Sequence, residues 1–154
     1  MKNYQALLLS VCLFSCQQNG QKKAAIITSD TLVVKETIAA NKQNGDTIHV
    51  DLLAEKGLAI AEASIDSLHP RAYVQFNMEV PVLLKASIVP TTGKGNIRFN
   101  QILSPDKTSD GPFGTDLEIH LKQKGSYVLV IGRSLMADNP FSGEFKVLLE
   151  TIED

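Results

Sequence analysis

The residues of this chain that could do chemistry are thinly spread, and the densest group is a set of three aspartates. Asp106, Asp110 and Asp116 fall within one short stretch that also holds glycine and proline. Calcium prefers several oxygen ligands from one loop, with a glycine at a sharp turn. The spacing differs from that of an EF-hand, and aspartates also stabilise turns without a metal. Calcium binding is therefore the weaker interpretation of these residues, and a turn-rich loop is the favoured one.

Side chains for catalysis or for a transition-metal site do not cluster. His49, His69 and His120 lack the spacing of metal ligands. Glu118 lies two residues before His120, so on a strand the two would share one polar face. No serine sits in a nucleophile elbow, and the glycines at 93–95 lack the strand–loop–helix setting of a phosphate cradle. The chain is therefore predicted to be non-enzymatic and to need no cofactor.

The first sixteen residues have the pattern of a bacterial lipoprotein export signal. Lys2 precedes an apolar run at 6–14, and Ser15 stands just before Cys16. The run is shorter than the roughly 20 apolar residues that span a bilayer, but it suits a signal sequence. An ordinary buried N-terminal helix is the alternative. The pattern predicts removal of residues 1–15, a lipid on Cys16 and, since Gln17 follows, attachment to the outer membrane.

Charge and cysteine content narrow the possible partners. The chain has 154 residues and a net charge of −2. Removal of residues 1–15 takes away Lys2 and Cys12, and it leaves 14 bases against 17 acids. Nucleic-acid binding, which favours a basic face, is not predicted. With Cys16 lipidated, no cysteine remains for a disulfide, so the fold must depend on its core.

Apolar and polar residues alternate with a period of two over most of the chain beyond position 46, which is typical of half-buried strands. Turn-forming residues separate the alternating stretches. The stretch at 58–65 also resembles a short helix by its alanines, but its flanks favour a strand. The pattern predicts an all-β antiparallel sandwich, jelly-roll-like, over 46–154, preceded by a lipidated tether and lead-in at 16–45. The predicted strands, about eight, lie at 47–52, 58–65, 73–78, 82–88, 97–101, 117–121, 127–131 and 145–149.

The order of these stretches resembles two groups of bacterial envelope β-sandwiches. They are the periplasmic inhibitors of goose-type and invertebrate-type lysozymes and the pre-peptidase C-terminal domains. The most similar piece is Lys124-Gly125-Ser126-Tyr127, which leads into an apolar strand. In the inhibitors a Ser-Gly-x-Tyr loop enters the enzyme cleft, and Gly125 and Tyr127 match that loop while Lys124 replaces its serine. The resemblance implies that these four residues, with Arg133 in the loop before the last strand, bind a lysozyme.

Hydrogen-bond donors are what such a loop would need, because a lysozyme cleft holds two catalytic carboxylates. Lys124, Ser126 and Arg133 carry suitable donors, and an arginine can hold a carboxylate with two parallel bonds. A core position for Tyr127 is the alternative, since aromatic residues dominate cores. Solvated surface charges are the alternative for Lys124 and Arg133. The first hypothesis is therefore a non-enzymatic envelope lipoprotein that binds a protein such as a lysozyme, or a glycan.

A structural or accessory envelope module that binds carbohydrate or calcium is the second hypothesis. Sugars stack on aromatic faces, and the chain has no tryptophan. The candidate platforms are Tyr73, Phe113 and Phe141. The two phenylalanines lie beside proline and glycine in predicted loops, and capping the end of the sandwich is the alternative for both. The oligomeric state is not predicted by any feature of the sequence.

Overall fold

The computed structural model describes residues 38–53, 56–134 and 136–153. Strands are the only regular elements in these residues, and none of the described residues forms a helix suited to crossing a membrane. The predicted signal at 1–15, the predicted lipid site Cys16 and most of the predicted tether at 16–45 lie outside the described residues. Those three features therefore stay predictions.

The predicted all-β fold is confirmed. All eight predicted stretches form strands, including 58–65, where the alternative was a helix. Two further strands, β1 and β7, are short and polar, so no alternation marked them in the sequence. The ten strands are β1 (Ala40–Lys42), β2 (Thr47–Val50), β3 (Leu58–Ile65), β4 (Arg71–Met78), β5 (Val82–Pro90), β6 (Arg98–Leu103), β7 (Ser109–Asp110), β8 (Asp116–Leu121), β9 (Gly125–Gly132) and β10 (Gly143–Glu153).

The strands form two five-stranded sheets. The first has the order β1-β3-β10-β5-β8 and the second the order β2-β4-β9-β6-β7. Most neighbours are antiparallel, as predicted, but each sheet has one parallel pair at an edge, β1 with β3 and β2 with β4. Parallel neighbours cannot be joined by a tight turn, and here β2 intervenes between β1 and β3 along the chain. The sheets are therefore mixed, which local alternation cannot reveal.

The core consists of the inward side chains of both sheets. In β3, residues Ala59, Ala61, Ala63 and Ile65 are buried at every second position, which is the signature of a strand with one covered face. Burial of each large apolar side chain contributes roughly 1.5–3 kcal/mol. The largest fully buried side chains are Tyr127, Phe76, Phe99 and Phe145.

The strand ends divide the loops into two groups. In the second sheet, Gly125 of β9 is the register partner of Met78, and Gly132 at the other end of β9 is the partner of Arg71. We call the end near Gly125, with the turns at 79–81, 104–108 and 122–124, the lysine end. We call the end near Gly132, with the loops at 66–70 and 91–97 and the residues after β9, the arginine end. An eight-residue strand such as β9 spans about 23 Å.

Candidate binding surfaces at the two ends of the sandwich

Tyr127 anchors the turn between β8 and β9, at the lysine end, to the core. The Tyr127 ring is buried, with 2% exposure, and stacks on Phe76 at a centroid distance of 5.9 Å. Its hydroxyl donates to the Gln123 carbonyl at 2.8 Å and accepts from the Gln123 amide at 3.0 Å. Both main-chain polar groups of Gln123 are thereby satisfied by one side chain. This geometry fixes the turn relative to the core.

The carboxylate of Asp106 also supports this turn through hydrogen bonds, and we call this set of bonds the Asp106 brace. Asp106 accepts hydrogen bonds from the Thr108 hydroxyl at 2.6 Å and from the Thr108 amide at 3.0 Å. Its second oxygen accepts from the Gln123 side-chain amide at 2.8 Å. These bonds, the Thr108 hydroxyl foremost, lower the pKa of Asp106 to about 2 because they stabilise the charged form. Asp106 therefore links the β6–β7 turn to the β8–β9 turn.

Gly125 is required where β9 begins. Its φ of +133° is a conformation that side-chain-bearing residues rarely adopt. A methyl group built on Gly125 would also lie 2.9 Å from Cβ of Pro105. The Gly-x-Tyr pattern is thus explained by this fold: glycine permits the bend and the contact with Pro105, and tyrosine anchors the turn.

The predicted ligand-binding residues differ in what they present to solvent. Lys124 is exposed, and its ammonium contacts the carboxylate of Glu79 in the neighbouring turn. Ser126 is half-buried, and its hydroxyl accepts a 3.1 Å bond from the Gln75 side chain on the outer face of the sheet. The Tyr127 ring lies in the core, as the alternative interpretation expected, and its hydroxyl is engaged with Gln123. Tyr127 therefore positions the turn.

Arg133 lies at the arginine end, one strand length away from Lys124. It follows Gly132, the last residue of β9, and is exposed. Lys124 precedes Gly125, the first residue of the same strand. The two cations that the sequence placed in one ligand-binding surface therefore lie on opposite ends of the sandwich and do not form one site.

The three aspartates proposed as calcium ligands bind separate partners. Asp106 is engaged in the brace described above. Asp110 accepts from the amide of Gly111 at 2.7 Å, and Asp116 accepts from the hydroxyl of Ser87 on the neighbouring strand at 2.7 Å. In the part of the chain that the structure describes, no three His, Cys, Asp or Glu side chains are grouped so that they could hold a metal ion.

The two loop phenylalanines proposed as sugar platforms belong to the core instead. Phe141 is buried, with 3% exposure, and packs edge-on against Phe145 at 6.1 Å between ring centroids. Phe113 is partly buried against the core. Tyr73 is half-buried on the outer face of the second sheet. Of the three candidates, only Tyr73 lies on an outer sheet face.

No protein-family model matches the chain, and no curated protein matches it. Solved structures do. They include the pre-peptidase C-terminal domain of collagenase from Bacillus anthracis, with 14% identity, coverage of 75% of this chain and 97% of that chain, and a TM-score of 0.44. PliG, a periplasmic lysozyme inhibitor of g-type lysozyme, matches from two organisms. The Aeromonas hydrophila protein has 12% identity, coverage of 74% and 100%, and a TM-score of 0.48. The Salmonella Typhimurium protein has 13% identity, coverage of 70% and 100%, and a TM-score of 0.45.

These structures belong to the two groups of proteins that the sequence resembles. With TM-scores below 0.5 they do not indicate what this chain binds, which depends on its own side chains. The structure adds residues that sequence reasoning did not single out. One is Gln123, which forms hydrogen bonds with both Tyr127 and Asp106. The others are Arg71 and Arg98, which are both register partners of Gly132. The rarity of arginine in the chain was the one signal that could have drawn attention to the second pair.

Proposed function

We propose that this protein is a non-catalytic binding protein of the bacterial envelope, anchored by a lipid on Cys16, whose lysine end inhibits a lysozyme. The lipoprotein pattern of residues 1–16 supports the location. The resemblance of residues 124–127 to the inhibitor loop supports the partner.

The observation that carries the proposal is the braced turn at 122–124. Tyr127 and Asp106 hold Gln123 from two directions, so the flanking Lys122 and Lys124 are displayed from a fixed backbone. A pre-ordered turn loses little conformational entropy when it binds. An ammonium group on such a turn suits a cleft whose catalytic pair includes one ionised carboxylate, since the other carboxyl acts as a protonated general acid.

The existing partner of Lys124 does not prevent this role. The Lys124 and Glu79 side chains are 70% and 51% exposed. Ion pairs that are this exposed contribute about 0–1 kcal/mol. Lys124 can therefore exchange Glu79 for a carboxylate in a water-excluded cleft, where a charge-assisted hydrogen bond contributes about 1.5–3 kcal/mol.

The test is the rate at which goose-type, invertebrate-type and chicken-type lysozymes clear a suspension of bacterial cell walls in the presence of the purified protein. We expect at least one of the enzymes to be slowed. Lys124→Gln should weaken that inhibition about tenfold or more, the equivalent of one lost charge-assisted bond. Unchanged clearing by all three enzymes at a large molar excess would exclude the proposal.

Lys146→Gln is the matched control. It removes the same charge and breaks an exposed pair of the same type, with Glu62 at 3.0 Å, on the outer face of the first sheet. Inhibition should be unaffected. Equal weakening by both variants would mean that overall charge, rather than the lysine-end turn, is responsible.

The anchor is tested separately by metabolic labelling with palmitate. Cys16→Ser should abolish labelling and release the protein from the membrane fraction. Cys12→Ser should retain both, because Val11 is a poor residue at the cleavage point. Labelling that depends on Cys12 alone would contradict the assigned anchor.

A further inference from the structure

The arginines of this chain are few and close together. The sequence has three, Arg71, Arg98 and Arg133, against a larger number of lysines. Arg71 begins β4 and Arg98 begins β6, and both strands pair with β9 so that each arginine is the register partner of Gly132. Arg133 directly follows Gly132. Arg71 and Arg98 therefore lie on either side of Gly132, although 27 positions separate them in the sequence, and Arg133 follows directly in the chain.

Gly132 is covered by groups from both neighbouring strands. A methyl group built on it would lie 2.8 Å from Nδ2 of Asn100, 3.1 Å from the carbonyl oxygen of Pro70 and 3.4 Å from Cγ of Arg71. Nε of Arg98 donates to Oδ1 of Asn100 at 3.2 Å. The stem of Arg71 and the Arg98–Asn100 pair thus approach each other across the glycine, on the outer face of the second sheet.

Acidic side chains are absent from the strands that carry Arg71 and Arg98. Strands β4, β6 and β9 contain no aspartate, glutamate or lysine. Within residues 38–53, 56–134 and 136–153, none of the three arginines forms an ion pair. By contrast, glutamates pair with several lysines of the described residues, among them Lys85, Lys124 and Lys146.

A pair of arginines that lies on either side of one residue and has no ion-pair partner favours an anion with high charge and several acceptor oxygens. A phosphate monoester carries about −1.5 to −2 charge at neutral pH and three strong acceptor oxygens. Arginine matches such a group with two parallel hydrogen bonds. Nε of Arg98 is occupied by Asn100, which orients the guanidinium and leaves its terminal nitrogens as donors. A single carboxylate offers less charge and fewer acceptors to three cations.

We infer that Arg71 and Arg98, oriented over Gly132 with Asn100 and flanked by Arg133, form a binding site for a phosphate monoester group. This site lies at the arginine end, so it is independent of the lysozyme inhibition proposed for the lysine end. The group could be carried by a soluble sugar phosphate or by a lipid head group, and the experiment separates these sources.

The first measurement is calorimetric titration of the purified protein with inorganic phosphate at constant ionic strength, with acetate in parallel. We expect phosphate to bind and acetate to bind at least tenfold more weakly. Arg71→Gln and Arg98→Gln should each weaken phosphate binding about tenfold or more. Arg98→Lys should also weaken it, because lysine keeps the charge and loses the two-pronged geometry.

Lys122→Gln is the charge-matched control at the opposite end, and it should leave phosphate binding unchanged. A second measurement does not need any variant to fold: phosphate should shift the backbone amide resonances of Gly132 and Asn100 in the unmodified protein. The inference would be overturned by the absence of these shifts, by equal binding of acetate, or by equal weakening in Lys122→Gln.

The source of the group is assigned with two further probes. Glucose 1-phosphate represents a soluble ligand, and phosphatidylcholine vesicles with or without phosphatidic acid represent a membrane. Co-sedimentation that needs phosphatidic acid and is lost in Arg98→Gln would support a lipid head group. Binding of glucose 1-phosphate without co-sedimentation would support a soluble phosphate. Failure of both probes would overturn the site as a monoester site.

Discussion

The two ends of the sandwich present cations in opposite ways. At the lysine end, Lys124 is paired with Glu79, and side-chain hydrogen bonds from Tyr127 and Asp106 hold the turn beneath it. At the arginine end, Arg71 and Arg98 have no carboxylate partner among the described residues. A weakly paired lysine can exchange partners, whereas two neighbouring arginines without a carboxylate partner favour an added anion. The contrast suggests two different ligands rather than one continuous binding surface.

The ends also differ in how their loops are joined. Side chains of Tyr127 and Asp106 connect the turns at the lysine end. At the arginine end the side-chain oxygens of Asn96 and Thr92 also accept loop amides, and in addition backbones pack directly against each other. A methyl group built on Gly93 would lie 2.0 Å from the carbonyl oxygen of Ser142, and one built on Gly143 would lie 2.7 Å from that of Thr92. The hydrogen bonds of Tyr127 and Asp106 can each be removed by a single substitution. Their contribution to stability can therefore be measured separately at the lysine end.

Loss of the Tyr127 anchor should have the largest effect. Tyr127→Ala removes a fully buried ring and should lower the free energy of unfolding by about 3–5 kcal/mol, as measured by urea denaturation. Tyr127→Phe keeps the stacking on Phe76 and removes only the two bonds to Gln123, for an expected loss of about 1–2 kcal/mol. A Tyr127→Phe variant as stable as the original protein would show that the hydroxyl does not brace the turn.

A smaller effect is expected from Gly125→Ala. The positive φ and the contact with Pro105 should together reduce the free energy of unfolding by about 1–3 kcal/mol. Gly45→Ala, at the arginine end, is the control, since Gly45 also has a positive φ of 62° but nothing within 4 Å of a built methyl group. Its cost should be about 1 kcal/mol. Equal losses at the two positions would contradict a specific role for the Pro105 contact.

The Asp106 brace predicts a pH dependence. The pKa of this carboxyl is about 2 in the folded protein, below its ordinary value of 3.8. The stabilisation is therefore present above about pH 4 and is lost as the pH falls through about 2. Urea denaturation over this range should show a smaller loss of stability in Asp106→Asn than in the original protein. Asp138→Asn, at the arginine end, is the control, and an identical pH slope in Asp106→Asn and the original protein would contradict the brace.

The smallest effect should come from the lysine-end ion pair. Lys124→Gln and Glu79→Gln should each change the free energy of unfolding by less than about 1 kcal/mol, and added salt should reduce that change further. A double-mutant cycle measures the coupling between the two side chains. A coupling well above 1 kcal/mol would mean that the Lys124–Glu79 pair is strong. Lys124 would then not readily leave Glu79 for a carboxylate of a ligand.

Much of the fold was predictable from local pattern. Alternation located all eight main strands, and it assigned the buried face correctly where it was regular, as in β5, where Val82, Leu84, Ala86 and Ile88 are buried. In β6 it placed Gln101 on the buried face, but an irregularity between Phe99 and Gln101 exposes Gln101 and buries Ile102 instead. Strands β1 and β7 were missed because they are short and polar. For the loop phenylalanines the sequence left sugar stacking and capping of the sandwich open, and Phe141 packs into the core against Phe145. Packing decided between the two at that position.

The candidate sites were less predictable. The sequence singled out Lys124 and Arg133, and it gave no indication that one strand length separates them. Nor could it show that Arg71 and Arg98 are neighbours, because β4 and β6 are brought together only by the intervening β9.

The alternation of apolar and polar residues is a property of neighbouring positions, so the chain alone determined where strands form and which of their faces is buried. Strand order and register depend on contacts between residues far apart in the sequence, and the same alternation is compatible with many arrangements. For that reason only the assembled sandwich decided that Gln123 donates a hydrogen bond to Asp106 at one end. It also decided that Arg71 and Arg98 lie on either side of Gly132 at the other end.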